Sequence, residues 1–176
     1  MRFKLSVLIN TPWLCLLPVI GFAADAVDVK EAVRDPVLTV PAAQDLADLA
    51  KDARRTGAPI LLVFTAEDCE YCERLESEVL GPMRLAGVEP ARVIVRKVVV
   101  EDYEKLRDFQ GHTLSAGSYA RRHQVHVTPT IALVNADGET LVPNIIGYQS
   151  PDLFPAYLEQ AIDVSRELIS RAQRRK

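Results

Sequence analysis

Thr65-Ala66-Glu67-Asp68-Cys69-Glu70-Tyr71-Cys72-Glu73-Arg74-Leu75 is the stretch whose reading decides the fold. The residues before it, Ile60 to Thr65, form an apolar run of strand length and read as a buried strand. After it, Cys72, Leu75, Val79 and Leu80 fall on one face of a helical pattern. Glu73, Arg74, Glu76 and Glu78 lie mostly on the other. A Cys-x-x-Cys at such a strand-to-helix junction has a specific meaning. The first cysteine sits beside the unpaired N–H groups of the helix N-terminus, which favour its thiolate. The second, one turn further on, is within reach of the first sulfur. The arrangement supports reversible thiol–disulfide chemistry, with Cys69 as nucleophile and Cys72 as the resolving thiol.

The chain of 176 residues has the length of one domain. A domain of ~150 residues buries roughly two-thirds of its unfolded surface and needs no disulfide staple or structural metal. The N-terminus reads differently. Arg2 and Lys4 precede an apolar run from Leu5 to Ile20, and no acid appears before Asp25. Small residues in Gly21-Phe22-Ala23 and Ala24-Asp25-Ala26 fit a secretory signal over residues 1–23, cut after Ala23 or alternatively after Ala26. The competing reading is an uncleaved anchor, but the run falls short of the ~20 residues of a span and contains Asn10, Pro12 and Pro18. Cys15 does not follow a small residue, as a lipoprotein acceptor would, and is expected to leave with the signal.

Cleavage leaves Cys69 and Cys72 as the cysteines of the mature chain. They close too small a loop to stabilise it much through chain entropy, so a structural role explains little. Loss of Arg2 and Lys4 takes the formal charge from −3 to −5. An acidic domain without a basic stripe argues against nucleic acid as a partner. The basic tail of Arg171, Arg174, Arg175 and Lys176 complements a helix C-terminus.

Residues 24–36 read as a polar lead-in to a domain over 37–176. Val37 to Val40 reads as a short edge strand between Pro36 and Pro41. Gln44 to Thr56 reads as a helix stopped by Gly57 and Pro59. Gly81-Pro82 is expected to break the Cys-x-x-Cys helix, with one more turn over 83–88. Val93 to Val100 is a second central strand. Tyr103, Leu106 and Phe109/Gln110 suggest a helix and Gly111 to Gly117 a loop, after which Ser115 or Ser118 caps a short helix bearing Tyr119 and ending near Gln124. Ile131 to Val134, the turn Asn135-Ala136-Asp137-Gly138 and Thr140 to Val142 read as a hairpin. Ser150-Pro151 starts the last helix. The order β-α-β-α-β-α-β-β-α implies an α/β fold, a central mixed β-sheet flanked by helices.

With these pieces placed, the chain resembles the exported (periplasmic) thioredoxin-like thiol–disulfide oxidoreductases from about Val37 to Ile169. The carriers are Cys69-Glu70-Tyr71-Cys72, Val127-Thr128-Pro129-Thr130, Asp137-Gly138 and Gly147. The resemblance implies a thioredoxin-like fold, a cis Pro129 packed against the cysteine pair, and a Thr128 backbone that pairs with substrate. Asp68 stands where thioredoxin has tryptophan, and Glu70-Tyr71 where it has Gly-Pro. Thioredoxin's buried strand acid is replaced by Val63, which leaves Glu67 as the candidate for proton transfer at Cys72. Tyrosine before the second cysteine and threonine before the proline are similar to the periplasmic disulfide isomerases, without their separate dimerisation domain. Asp102 to Gly117 reads as an insertion beside the active site.

The other chemistry open to two sulfurs is metal binding. A closed zinc site needs two further ligands, and only His112, His123 and His126 are left to supply them. Copper handling by the two cysteines with His126, or a redox-regulated binding module, is the alternative to an enzyme. Tyr71 between the cysteines reads as substrate-facing surface. Glu67, Asp68, Glu70 and Glu73 disfavour the thiolate that the helix N-terminus favours. The expected poise is therefore that of a reductase or isomerase. No cofactor beyond the Cys69–Cys72 disulfide is expected, and no resident metal. The partners expected are disulfide-containing exported proteins and a thiol electron donor, with the membrane involved only if the signal segment stays uncleaved. The location that follows is exported, the periplasm in a bacterium.

Overall fold

The computed structural model describes residues 38–101 and 103–175. The expected signal over 1–23 and lead-in over 24–36 lie outside the described residues. Four strands form the central sheet in the order β2-β1-β5-β6. They are β1 (Ile60–Thr65), β2 (Ile94–Val99), β5 (Thr130–Val134) and β6 (Ile145–Ile146). β1 runs parallel to β2, with Val63 opposite Lys97, and antiparallel to β5, with Val63 opposite Ile131. All six residues of β1 are buried. That is why the strand reads as a continuous apolar run: helices cover both faces of a mixed sheet.

Residues of alternate parity along β1 feed two cores. Leu62 and Phe64 pack with α1 (Leu46–Thr56) and α4 (Ala116–Arg122), through Leu46, Ala53, Tyr119 and Ala120. Leu61 and Val63 pack with the Cys-x-x-Cys helix and α5 (Phe154–Gln173), through Leu75, Val79, Leu158 and Ile162. α1 begins where the Asp45 side chain accepts the Asp48 N–H at 2.9 Å, and it stops at Gly57, whose φ is 71°.

Five expectations are corrected. The last helix starts at Phe154, not at Ser150-Pro151: Ser150 has φ 50°, and its backbone carbonyl takes the Leu153 and Phe154 N–H groups at 2.9 and 3.1 Å. Of the strand expected at 37–40, residues 38–40 are not a strand, and Val37 lies outside the described residues. The chain meets the sheet two residues later, where Ala42 bridges Lys97, because Pro41 has no N–H to donate. Gly81-Pro82 does not end the Cys-x-x-Cys helix. α2 (Glu70–Leu75) runs into a π-helical turn (Glu76–Leu80) and then α3 (Gly81–Leu85). The Gly81 N–H reaches back five residues to Glu76 O, and this widened turn carries the helix past a proline that lacks a donor. The helix and loop expected across Tyr103 to Gly117 are a hairpin, β3 (Lys105–Arg107) paired with β4 (Thr113–Ser115). Leu106 alone of β3 is buried, and the Arg107 N–H donates to Gln44 O at 2.9 Å, so contacts with the start of α1 decide the strand. The partner of β5 is β6, while Thr140 contributes only an isolated bridge to Val134.

Asp108, with 1% exposure, closes the turn of this hairpin by accepting the N–H groups of Gln110 and His112. Its other oxygen takes Arg122 Nη1 at 3.3 Å and so ties the hairpin to α4. A second clasp joins the hairpin region to the 135–138 turn. Gly138 has φ 84°, and a Cβ built there would stand 2.6 Å from the Phe109 ring. Among the described residues, no helix is long and apolar enough to cross a membrane.

Candidate active site

Cys69 occupies the N-cap of α2 and follows the sheet directly, so its sulfur is presented at the C-terminal end of β1. Asp68 just before it has φ 50°, a left-handed conformation that aspartate tolerates better than most side chains. Cys69 O accepts the N–H groups of Cys72 and Glu73 at 3.0 and 3.1 Å. The Glu70 and Tyr71 N–H groups, the first of the helix, take no backbone partner among the described residues. They supply the positive end that favours a thiolate. The two sulfurs are joined in a disulfide, with Cα atoms 5.2 Å apart. Cys69 is partly exposed and Cys72 buried, with 6% exposure. Accessibility thus distinguishes the sulfur open to attack from the one behind it.

The second element of the site is the loop entering β5. The Thr128–Pro129 bond is cis, and Pro129 is buried. Thr128 Oγ1 lies 3.5 Å from Cys69 Sγ. The loop is held by Thr130 Oγ1, which donates to Val127 O at 2.7 Å, and by the Gly147 N–H on Pro129 O at 2.7 Å. Neither backbone polar group of Thr128 has a backbone partner among the described residues. An extended chain laid along this loop would find them open.

Around the sulfurs, Glu67, Asp68, Glu70 and Glu73 are all exposed, and Tyr71 shows 56% of its surface. Glu67 faces the surface: its N–H donates to Glu101 Oε1 at 2.8 Å, and its carboxylate accepts the Tyr103 hydroxyl. That hydrogen bond pushes the Tyr103 hydroxyl up to about 12. Val63, at the position of the absent strand acid, is 2% exposed. Sequence reading missed the half-buried setting of a further carboxylate where this helix continues into the π turn. Glu76, one turn beyond Cys72, accepts Lys97 Nζ at 3.1 Å and the Val40 N–H at 2.7 Å. The only local signal was its i+4 spacing from Cys72, since Lys97 and Val40 arrive from remote segments.

The histidines are dispersed. His123 packs between Tyr119 and Phe64, its ring 4.6 Å from that of Tyr119, and burial lowers its proton affinity. His112 is at the hairpin turn beside Asp108. His126 lines a pocket together with Thr128. Among the described residues, no three of the His, Cys, Asp and Glu side chains come together in a way that would hold a metal ion.

A mixed sheet between two helical layers, with a disulfide at a helix N-terminus facing a cis-proline loop, defines the thioredoxin-like class of thiol–disulfide oxidoreductase. The chain matches the thioredoxin-like domain family over residues 46–162 and belongs to it. No curated protein matches. Among solved structures it is similar to the DsbH oxidoreductase, at 14% identity and TM-score 0.51, over 73% of this chain and 89% of that one. It is also similar to oxidised mitochondrial thioredoxin 3 of Saccharomyces cerevisiae, at 19% identity and TM-score 0.48, over 72% and 96%. The oxidised C-terminal domain of Neisseria meningitidis DsbD matches at 18% identity and TM-score 0.47, over 68% and 98%. At 14% identity the likeness to the DsbH oxidoreductase speaks for the fold alone.

Proposed function

We propose that this protein reduces or isomerises disulfides of exported proteins, with the poise of a reductase or isomerase. The observation that carries the reading is the partly exposed Cys69 sulfur beside Thr128, with Cys72 buried behind it. A thiol electron donor first reduces the Cys69–Cys72 disulfide. The Cys69 thiolate then attacks one sulfur of a substrate disulfide, forming a mixed disulfide and expelling the other substrate sulfur, which takes up a proton. The Cys72 thiolate next attacks Cys69 Sγ and releases the second substrate thiol. Two electrons have passed to the substrate, and the enzyme disulfide is restored. In this reading the Thr128 backbone pairs with the substrate chain, cis Pro129 leaves that edge open, and Tyr71 adds exposed contact surface. Glu67 is the proposed proton acceptor for Cys72.

The export assignment rests on Arg2, Lys4, the apolar run Leu5 to Ile20 and the small residues before Ala23 and Ala26. The proposed location is exported, which in a bacterium is the periplasm. The test is catalysis of insulin reduction by the reduced mature protein, together with the pair's reduction potential. Tight one-to-one copper binding in an anaerobic titration, without catalysis, would favour the metal-handling alternative.

A further inference from the structure

Helix α5 has more apolar surface than the core covers. Phe154, Leu158, Ile162 and Ser165 face the sheet and are buried. Leu153 at the N-cap, Tyr157, Val164 and Leu168 are not: they stay 70%, 55%, 42% and 38% exposed. At about 100° per residue these four fall within an arc of about 60° and run ~22 Å along the helix. Together they expose on the order of 400 Å², about the largest apolar patch that a monomer ordinarily leaves bare. Leu168 also lines a pocket of about 250 Å³ at the C-terminal end of α5, walled by Ala53, Ala58, Leu141, Ile169 and Ala172. Polar groups in the pocket's lining are engaged already, Arg54 with Asp137 at 2.7 Å and Asn135 with Glu139 at 2.8 Å.

We propose that this stripe is the interface between two copies of the chain, packed antiparallel across α5. The stripe is self-complementary. With a twofold axis between Gln160 and Ala161, Leu153 falls opposite the partner's Leu168 and Tyr157 opposite the partner's Val164. Each apolar side chain then meets another, and the most exposed leucine stands at the mouth of the apolar pocket. Charge sets the direction. Asp152, Glu159 and Asp163 give residues 152–163 a formal charge of −3, whereas Arg166, Arg171, Arg174 and Arg175 against Glu167 give residues 164–175 a charge of +3. Antiparallel copies lay each half on its opposite and oppose the helix dipoles, while a parallel pair would lay like on like. Within one copy Arg92 already holds Glu159 and Asp163, and Glu167 holds Arg171, so charge orients the pair and apolar contact supplies the affinity. The patch is about half the ~800 Å² per partner of a standard interface, so the dimer is weak, with a Kd on the order of 10–100 μM. The dimer does not require the oxidoreductase reading: no residue of the stripe belongs to the disulfide or the proline loop.

The test is sedimentation equilibrium of the oxidised protein, expressed from the full 176 residues, over about 1–500 μM, a range that brackets the expected Kd. The average mass should rise from one chain toward two. Tyr157→Arg and Leu153→Asp should each weaken association by roughly tenfold or more, because a twofold interface loses each side chain twice. Both side chains are exposed, so the variants should fold, with Tm as the check. Direction is read by cross-linking in a Cys15→Ser, Cys69→Ser, Cys72→Ser background. An oxidised mixture of Tyr157→Cys and Val164→Cys chains should form the 157–164 disulfide. Tyr157→Cys alone should not pair with itself, because antiparallel copies hold the two 157 positions about seven residues, ~10 Å, apart along the axis. A protein that stays a single chain across the whole range would overturn the interface. Dimers that survive both substitutions, or a 157–157 cross-link, would overturn it as well. So would a monomer that binds anionic phospholipid vesicles and loses that binding in Tyr157→Arg and Leu153→Asp, which would make the stripe a membrane face.

Discussion

Cys69 stands between two unlike neighbourhoods. The strand-to-helix turn that carries it holds Glu67, Asp68, Glu70 and Glu73, all exposed and all negative. The proline-loop side holds Arg121 and His126 among aliphatic walls. The first set stands within four residues of Cys69 in the sequence. The second lines a pocket together with Thr128. The acids are neighbours of Cys69 in sequence, whereas Arg121 and His126 reach the proline-loop side from other segments of the chain.

The coarsest way to break this picture is to remove the sulfur both neighbourhoods serve. Cys69→Ser should abolish turnover, whereas Cys72→Ser should accumulate mixed disulfides on Cys69 that are visible by non-reducing electrophoresis. Equal trapping on Cys72 in the Cys69→Ser background would reverse the roles of the two cysteines. Next in size is a charge belonging to neither neighbourhood. Glu76→Gln leaves a half-buried Lys97 without its counter-charge. Urea denaturation should show a loss of about 1–3 kcal/mol.

A smaller effect sharpens the comparison directly. The wild-type pair potential is expected between roughly −180 and −270 mV. Asp68→Asn with Glu70→Gln should lower the Cys69 pKa and make the pair more oxidising by about 15–30 mV, the equivalent of half to one pH unit. Arg121→Gln should move it by less than half as much. A wild-type value of about −120 mV, that of a strong oxidant, would contradict the restraining role given to the acids.

The last effect concerns what supports the cationic side. Burial of Asp108 favours its neutral form, but the His112 N–H and charge, the Gln110 N–H and Arg122 together favour the carboxylate more, and its pKa is lowered from 3.8. A group held below its unfolded value adds stability above pH 3.8, and that stability is lost as pH falls below it. Asp108→Asn should therefore melt below wild type at pH 7, with the gap in Tm narrowing toward pH 3. A gap that stays constant would mean that the Asp108 charge is not what holds the hairpin to α4.

Strand β1 and the cysteine helix were legible in sequence because the forces that form them are local. Six consecutive buried residues, an N-cap position and a Cys-x-x-Cys need no remote partner to be recognised. Ser115 was legible for the same reason, since its hydroxyl accepts the Ser118 N–H within one turn. The stretch from Tyr103 to Gln110 was not. Its apolar residues fall at helical spacing by coincidence, while Gln44, Asp45 and the paired strand at 113–115 decide its conformation from outside. Gly81-Pro82 misled in another way, because a π turn is a backbone answer to a missing donor and leaves no pattern of side chains. At the site, the sequence motifs marked the cysteines and the proline. The pocket beside them is assembled from segments up to 62 residues apart, and Glu76 gains its partners only when β2 and the chain before α1 are in place.

Gly138 carries a consequence for the chain's capacity to vary. Its φ of 84° disfavours any residue with a Cβ, and the Phe109 ring occupies the space where that Cβ would be. Gly87 has a similar φ of 71° but open space around it. A saturation library at position 87 should return asparagine and aspartate alongside glycine. At position 138 the same selection should return glycine alone, unless Phe109 shrinks in the same clone. Two residues 29 positions apart would then drift through sequence space as one unit.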